Sequence, residues 1–516
     1  MKKPHLLLTA LAAIALGAPA TAAEDVITLL EKAQDGDAQA QYEMGVRYYK
    51  GDGVKKDSAK AMRWYQLAAA QGHERAKLTL ETLADMGLTA APAAPAAASS
   101  APAATTAEDE YQEGLRYYYG NGVPEDTTQA AQHFRNAAEQ GHAAAQGYLA
   151  VCYGNGEGVE RDDSKCLYWG RKAAAQGDAR SQNLLGICYA NGLGVPKNYT
   201  EAVKWYKLAA DQGYADAQCS LGICYAVGQG VAQSFAEAVK WNRKAADQGH
   251  PVAQYFMGSC YKRGQGVPQN DTEAAKWFKL SAEQGNAMAQ NNLGHCYASG
   301  AGVPQSDTEA VKWYTQAAEQ GETEAQFRLG LCCYCGIGAE QSFAEAAKWW
   351  KPAAEQGCIE AQGFLGECYL NGLGVPQNTT EAVKWFQQSA EQGYPPSQCY
   401  LGDCYAQGTG VPQSNIEAVK WYMLAAKQGH DGAQWKLGGF YAQGTGVPQD
   451  YVEAVKWFKL AAEQKNVAAQ YMLGLSYRTG IGVKQNRAEA IRWLKAAAAQ
   501  GYQAAVKELH EMGVKP

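Results

Sequence analysis

Ten tryptophans recur every 36 residues without a slip: Trp169, Trp205, Trp241, Trp277, Trp313, Trp349, Trp385, Trp421, Trp457 and Trp493. A fixed period of roughly 20–50 residues marks a stack of small units, none of which can bury its apolar face alone. That constraint excludes a globule built around one central pocket. It also assigns most recurring side chains to scaffold, so functional information has to be sought where the units differ.

Each unit divides into two helical halves. In the unit around residues 179–213 the first helix is expected from Ala179 to about Ala190, closed by a Gly-x-Gly turn at Gly192 and Gly194. Glycine there supplies the positive φ that a helix exit needs. The second half opens with Asn198-x-x-Glu201, the pattern of a capping box in which the cap side chain accepts from the third amide and the glutamate reaches back. The pattern recurs from Ser234/Glu237 to Asn486/Glu489, and each second helix closes at a Gln-Gly such as Gln212-Gly213. Helical spacing puts Gln182, Leu185, Gly186 and Tyr189 on one face, and Ala202, Trp205, Tyr206 and Ala209 on the packed face of the partner helix. A mid-helix glycine costs about 1 kcal/mol against alanine. Its recurrence from Gly45 to Gly474 predicts a neighbouring helix too close for a β-carbon. Twelve units are counted, with Trp64 and Phe134 at the tryptophan position of the first two. The expected fold is all-α, an α/α superhelical solenoid, with a leading half-unit at 25–35 and a closing helix at 502–513.

The motif Ala-x-x-x-Leu-Gly-x-x-Tyr-x-x-Gly-x-Gly-Val, followed by Glu-Ala-x-x-Trp-Tyr-x-x-Ala-Ala-x-x-Gly, resembles the Sel1-like repeat, a relative of the tetratricopeptide repeats. The resemblance covers nearly the whole chain outside one linker. It implies an α/α superhelix that works as an adaptor holding other proteins, and, for several bacterial members, export to the cell envelope. A cysteine-rich branch of the family implies weak β-lactam binding or hydrolysis, or binding of peptidoglycan fragments. That branch pairs cysteines within each repeat across seven intervening residues, a pattern this chain does not follow.

The chain begins Met1-Lys2-Lys3, runs apolar from Leu6 to Leu16 and passes through small residues to Ala23. Residues 1–23 therefore read as a cleaved signal peptide, too short in its apolar core to stay as a membrane anchor. The mature chain is expected to be exported, periplasmic or secreted, with no transmembrane segment. Residues 89–107 hold only Ala, Pro, Ser and Thr and read as a flexible linker between a small repeat domain (24–88) and an eleven-repeat solenoid (108–516). The formal charge of −6 becomes −8 without Lys2 and Lys3, and no basic stripe is present, which argues against a nucleic-acid partner.

Eight of the fourteen cysteines occupy one repeat position, Cys152, Cys188, Cys224, Cys260, Cys296, Cys332, Cys368 and Cys404. Equivalent residues in adjacent helices lie about 8–10 Å apart, beyond the ~7 Å between α-carbons that a disulfide tolerates. They read as small apolar filler. Cys152 and Cys166, at the end of one helix and the start of the next, are the best candidates for a disulfide. Cys332, Cys333 and Cys335 lack a second cluster to complete a metal site, so no metal and no cofactor is expected. Nucleophile elbows, His-Glu-x-x-His, Ser-x-x-Lys and phosphate loops are missing from the sequence. The expectation is a non-enzyme.

Positions equivalent to 183, 187, 190 and 191 form one stripe of the first helix and vary freely between units. This stripe carries Tyr255, Lys262, Arg263, His295, Phe327, Tyr334, Glu367, Asp403, Trp435, Tyr471 and Arg478. Aromatic residues and arginines mixed in this way suit a protein or peptide surface, while a solvent face drifting without constraint is the plain alternative. The sequence points to a non-catalytic scaffold binding a protein or peptide in a first-helix groove. The β-lactam or peptidoglycan activity implied by the resemblance, and a structural spacer, stand as the other readings.

Overall fold

The computed structural model describes residues 29, 33, 37–50, 58–85 and 106–516. The expected signal peptide lies outside them, as does most of the expected leading half-unit at 25–35. So does the expected linker, apart from Thr106 and Ala107, which start the helix Ala107–Tyr118. The described residues form twenty-six helices and no strand, nearly all of thirteen residues, and the chain clusters into two units, Met1–Gln233 and Ser234–Pro516.

Within a repeat the helices run as the sequence predicts. The first is Ala179–Asn191, capped by Gly192 at φ 78° whose amide donates to the Cys188 carbonyl at 2.8 Å. The second is Tyr199–Asp211, with Asn198 accepting from the Glu201 amide at 3.1 Å. Gly194, at φ 66°, passes so near the Asp163 carbonyl that a β-carbon would lie 2.9 Å from its oxygen.

The expected capping box forms only by half. The glutamate does not return to the cap amide, because that amide is already bonded: Asn198 N–H donates to Tyr189 C=O at 2.8 Å, and Asn378 N–H to Tyr369 C=O at 2.8 Å. The glutamates turn outward to a lysine three residues on, as in Glu201–Lys204 at 2.8 Å and Glu381–Lys384 at 2.9 Å. Tertiary context sets this, since the tyrosine carbonyl belongs to the preceding helix. The complete box among the described helices is Thr106 with Asp109.

The mid-helix glycines face rings. A β-carbon on Gly186 would lie 2.4 Å from Tyr206, one on Gly330 2.3 Å from Trp350, and one on Gly366 2.7 Å from Phe386. The ring is the residue after the periodic tryptophan, and these rings are the largest buried side chains, Trp350 and Phe386 at 0 % exposure. The periodic tryptophans are mostly half-buried. One unit reverses the pair: Ala150 stands at the glycine position and Gly170 at the ring position, with their β-sides facing.

A glutamine relay crosses the repeats within each unit. Buried Gln362 donates to the Ala354 carbonyl at 3.0 Å and accepts from Gln392 of the following turn at 2.9 Å. The same pair recurs as Gln182/Gln212 and Gln470/Gln500. Burying an amide without partners costs about 1–3 kcal/mol, so the relay explains why glutamine holds a core position. The closing helix Gln503–Glu511 is not wholly polar; it covers the last repeat with Ala505, Leu509 and Met512.

Candidate functional site

The varying stripe of first helices is part wall and part surface. Positions equivalent to 183 follow the buried Gln182 by one residue and turn toward the neighbouring helix. Asn291, Gly363 and Cys399 are buried there. The four aromatics expected to be exposed are instead half-buried and packed. Tyr255 lies 6.0 Å from Phe278, Phe327 6.0 Å from Phe364, and Tyr471 5.0 Å from Tyr502, while Trp435 rests on the core around Phe458. Tyr334 packs on Phe343 at 5.1 Å and Trp350 at 5.4 Å. These rings fix helix against helix first and present an edge to solvent second.

Contacts between consecutive first helices obey a register. Asp403 accepts from Lys436, 33 residues on, at 2.7 and 2.5 Å, and Arg478 meets Glu511, also 33 residues on, at 3.3 Å. Arg478 also meets Glu508. Offsets of 30 and 37 residues flank this line, as in Lys262 to Asn292 at 3.4 Å and Lys436 to the Cys399 thiol at 3.7 Å. Each first helix thus offers a row that lies across a row of the next. Asp403 is a structural residue here: it also accepts from the Tyr422 hydroxyl at 2.6 Å. That hydroxyl is held protonated to high pH by burial and by the carboxylate beside it.

Two rows with the same 33-residue step lack this pairing. In the first, Lys262, His295 and Arg328 follow one another on three consecutive first helices. Lys262 is half-buried and has no carboxylate partner among the described residues. Burial pulls its ammonium below the usual lysine range, and Arg328 and Arg263 add to the effect. Burial likewise lowers His295, with Lys262 and Arg328 reinforcing it. Arg328 bonds Glu324 at 2.7 Å on its own helix, so one acid stands against the cluster. Exposed Arg263 ends the same helix as Lys262. In the second row Glu367 stands between Tyr334 and Tyr400 where a cation would complete the pattern. Its carboxylate has no ion pair or hydrogen bond among the described residues, and burial raises it above the usual glutamate range. Tyr400 is held by stacking on Phe386 at 5.0 Å and 11°.

Sequence reasoning found Lys262, His295, Tyr334 and Glu367 but missed Arg328, Tyr400 and Lys436. All three sit at positions equivalent to 184. The available signal was the spacing 184, 187, 191, which lies on one helical face as well as 183, 187, 190, 191 does; only the neighbouring helix tells them apart.

Cys152 and Cys166 are buried and unbonded, and the thiol within hydrogen-bonding reach of Cys166 is Cys188. The helix Asp163–Ala175 lies between two first helices, and Cys166 meets both the Gly154 turn of one and Cys188 of the next. The periodic cysteines are buried except Cys332, which is half-buried. Among the described residues no cluster of three His, Cys, Asp or Glu residues has metal-binding geometry, and no helix is long and apolar enough to cross a membrane.

Comparison with known proteins bears on the whole array. Twelve segments match the Sel1 repeat: residues 38–73, 110–142, nine consecutive units from 143 to 466 that leave out only residue 431, and 467–502. The chain is similar to the crystal structure of c5321, a protective antigen present in uropathogenic Escherichia coli strains displaying an SLR fold. Identity is 33 %, over 94 % of this chain and 97 % of that one, with a TM-score of 0.64. It is also similar to a Sel1 repeat protein from Oxalobacter formigenes, 36 % identical over 60 % of this chain and 90 % of that one, with a TM-score of 0.44. The chain belongs to the Sel1 repeat family.

Proposed function

We propose that this protein is an exported, non-catalytic scaffold that holds a protein or peptide against the first-helix face of its Ser234–Pro516 unit. Family and fold are those of repeat scaffolds for protein interaction. The observation that carries the finer reading is the difference between neighbouring rows. Asp403 and Arg478 meet partners in the next helix, while Glu367 and Lys262, on the same face and half-buried, meet none. Holding a half-desolvated charge without a counter-ion disfavours the free state. A partner that brings the counter-ion recovers that energy, so such charges mark the part of the face that acts in complexes. Export rests on the charged start, short apolar core and small-residue exit of residues 1–23.

A photo-crosslinking residue at Leu331, between the two rows, is expected to trap a partner in cells that make the protein. One at Lys384, on the exposed side of a second helix, is expected to trap far less. Equal trapping from both positions would refute the assignment of the face. A fusion of residues 1–30 to a reporter active only outside the cytoplasm tests export; an inactive fusion rules it out.

A further inference from the structure

A binding role for the first-helix face, on which any assignment of its occupant rests, leaves the chemistry of that occupant open. The ion-pair register narrows it. Where the 33-residue row carries charges of both signs it closes on itself, as in Asp403–Lys436. The row Lys262–His295–Arg328 has cations and a neutral or cationic imidazole but no anion, and its one nearby acid, Glu324, bonds Arg328 from one side. The row Tyr334–Glu367–Tyr400 has the anion and no cation; in its place are two tyrosines held by their own packing. A carboxylate flanked by aromatic rings favours an ammonium or guanidinium, which gains both the ion pair and the ring quadrupole. Between the two rows runs Ala298–Leu331–Phe364, without charge.

We propose that Lys262, His295 and Arg328 form an anion subsite and that Glu367, between Tyr334 and Tyr400, forms a cation subsite, so that the occupant is an extended peptide segment carrying one carboxylate side chain and one lysine or arginine. The subsites are centred on His295 and Glu367, two repeats apart. Neighbouring helices pack about 8–10 Å apart, which separates the subsites by about 20 Å. An extended chain advances about 3.3 Å per residue, so the acid and the base of the ligand stand about six residues apart, with apolar or small residues over Leu331.

The test is selection of random dodecapeptides displayed on phage against the immobilised full-length protein. The expected consensus holds an acidic and a basic residue about six positions apart. Selection on Lys262→Gln/Arg328→Gln loses the acidic preference and keeps the basic one, and selection on Glu367→Gln does the reverse. A synthetic consensus peptide, followed by fluorescence polarisation, should weaken at least tenfold with either variant and be largely retained by Lys262→Arg and Glu367→Asp. Thermal unfolding of each variant should match the parent, because these charges support no internal pair. Peptides selected without a charge signature, or a signature that the variants leave unchanged, overturn the subsite assignment while the binding face stands. If no peptide is enriched over bare support, the peptide-binding reading itself falls.

Discussion

Replacing Asp403 by alanine separates a structural from a ligand-binding role for that carboxylate. The side chain takes a 2.6 Å hydrogen bond from Tyr422 and bonds of 2.7 and 2.5 Å from Lys436, linking three helices, Pro395–Gln407, Asn415–Lys427 and Asp431–Gln443. Breaking a fully buried ion pair from one side costs about 3–5 kcal/mol. Here the two side chains are 26 % and 28 % exposed, so water screens part of that loss. The Tyr422 hydroxyl, in a residue 2 % exposed, loses its acceptor at the same time. The balance is about 2–3 kcal/mol. A repeat array opens locally, so the measurement is hydrogen exchange by mass spectrometry on peptides from 395–443. Protection there should fall roughly 30- to 150-fold, since about 1.4 kcal/mol is tenfold, with peptides before residue 350 unchanged. Lys436→Met alone should also destabilise, and the Asp403→Leu/Lys436→Met double variant should cost at least ~1 kcal/mol less than the sum of the two singles. Unchanged protection, or strict additivity, would show that the triad contributes nothing.

Four further outcomes are expected. Gly366→Ala should destabilise by about 0–2 kcal/mol, overpacking against Phe386 outweighing the helix-propensity gain; adding Phe386→Gly, which copies the Ala150/Gly170 arrangement, should relieve the clash but leave a cavity, and thermal melts of both variants report the two effects. Asn378→Ala should cost about 1 kcal/mol through the lost cap, whereas Glu381→Ala should cost no more than about 0.5 kcal/mol because it removes only a lysine pair; a glutamate effect equal to the asparagine effect would restore the full capping box. Mild oxidation followed by peptide mapping should join Cys166 to Cys188 and not to Cys152; a 152–166 bridge would refute the packing of that helix. Because burial lowers His295, its contribution favours folding above the unfolded histidine pKa near about 6.5 and is lost as pH falls through the lower folded value; His295→Gln should flatten the acid side of the stability profile, and a steeper slope would contradict the sign.

The sequence by itself determined the repeat, the helix boundaries to within a residue, the glycine exits and the close approach at Gly186, because each is a local rule repeated twelve times. The same repetition made the tryptophans the loudest signal, yet the deeper residue is the ring after each one, which only the facing glycine reveals. Tertiary structure decided what single-helix periodicity cannot see. The tyrosine carbonyl that takes the cap amide belongs to another helix, so the glutamates of the expected boxes were free to turn to lysine. Whether a charge on the varying stripe is paired depends on the residue 33 positions away, across a helix interface. That offset is a property of how two helices lie together, and it separates Asp403, which holds the scaffold, from Glu367, which is left for a partner.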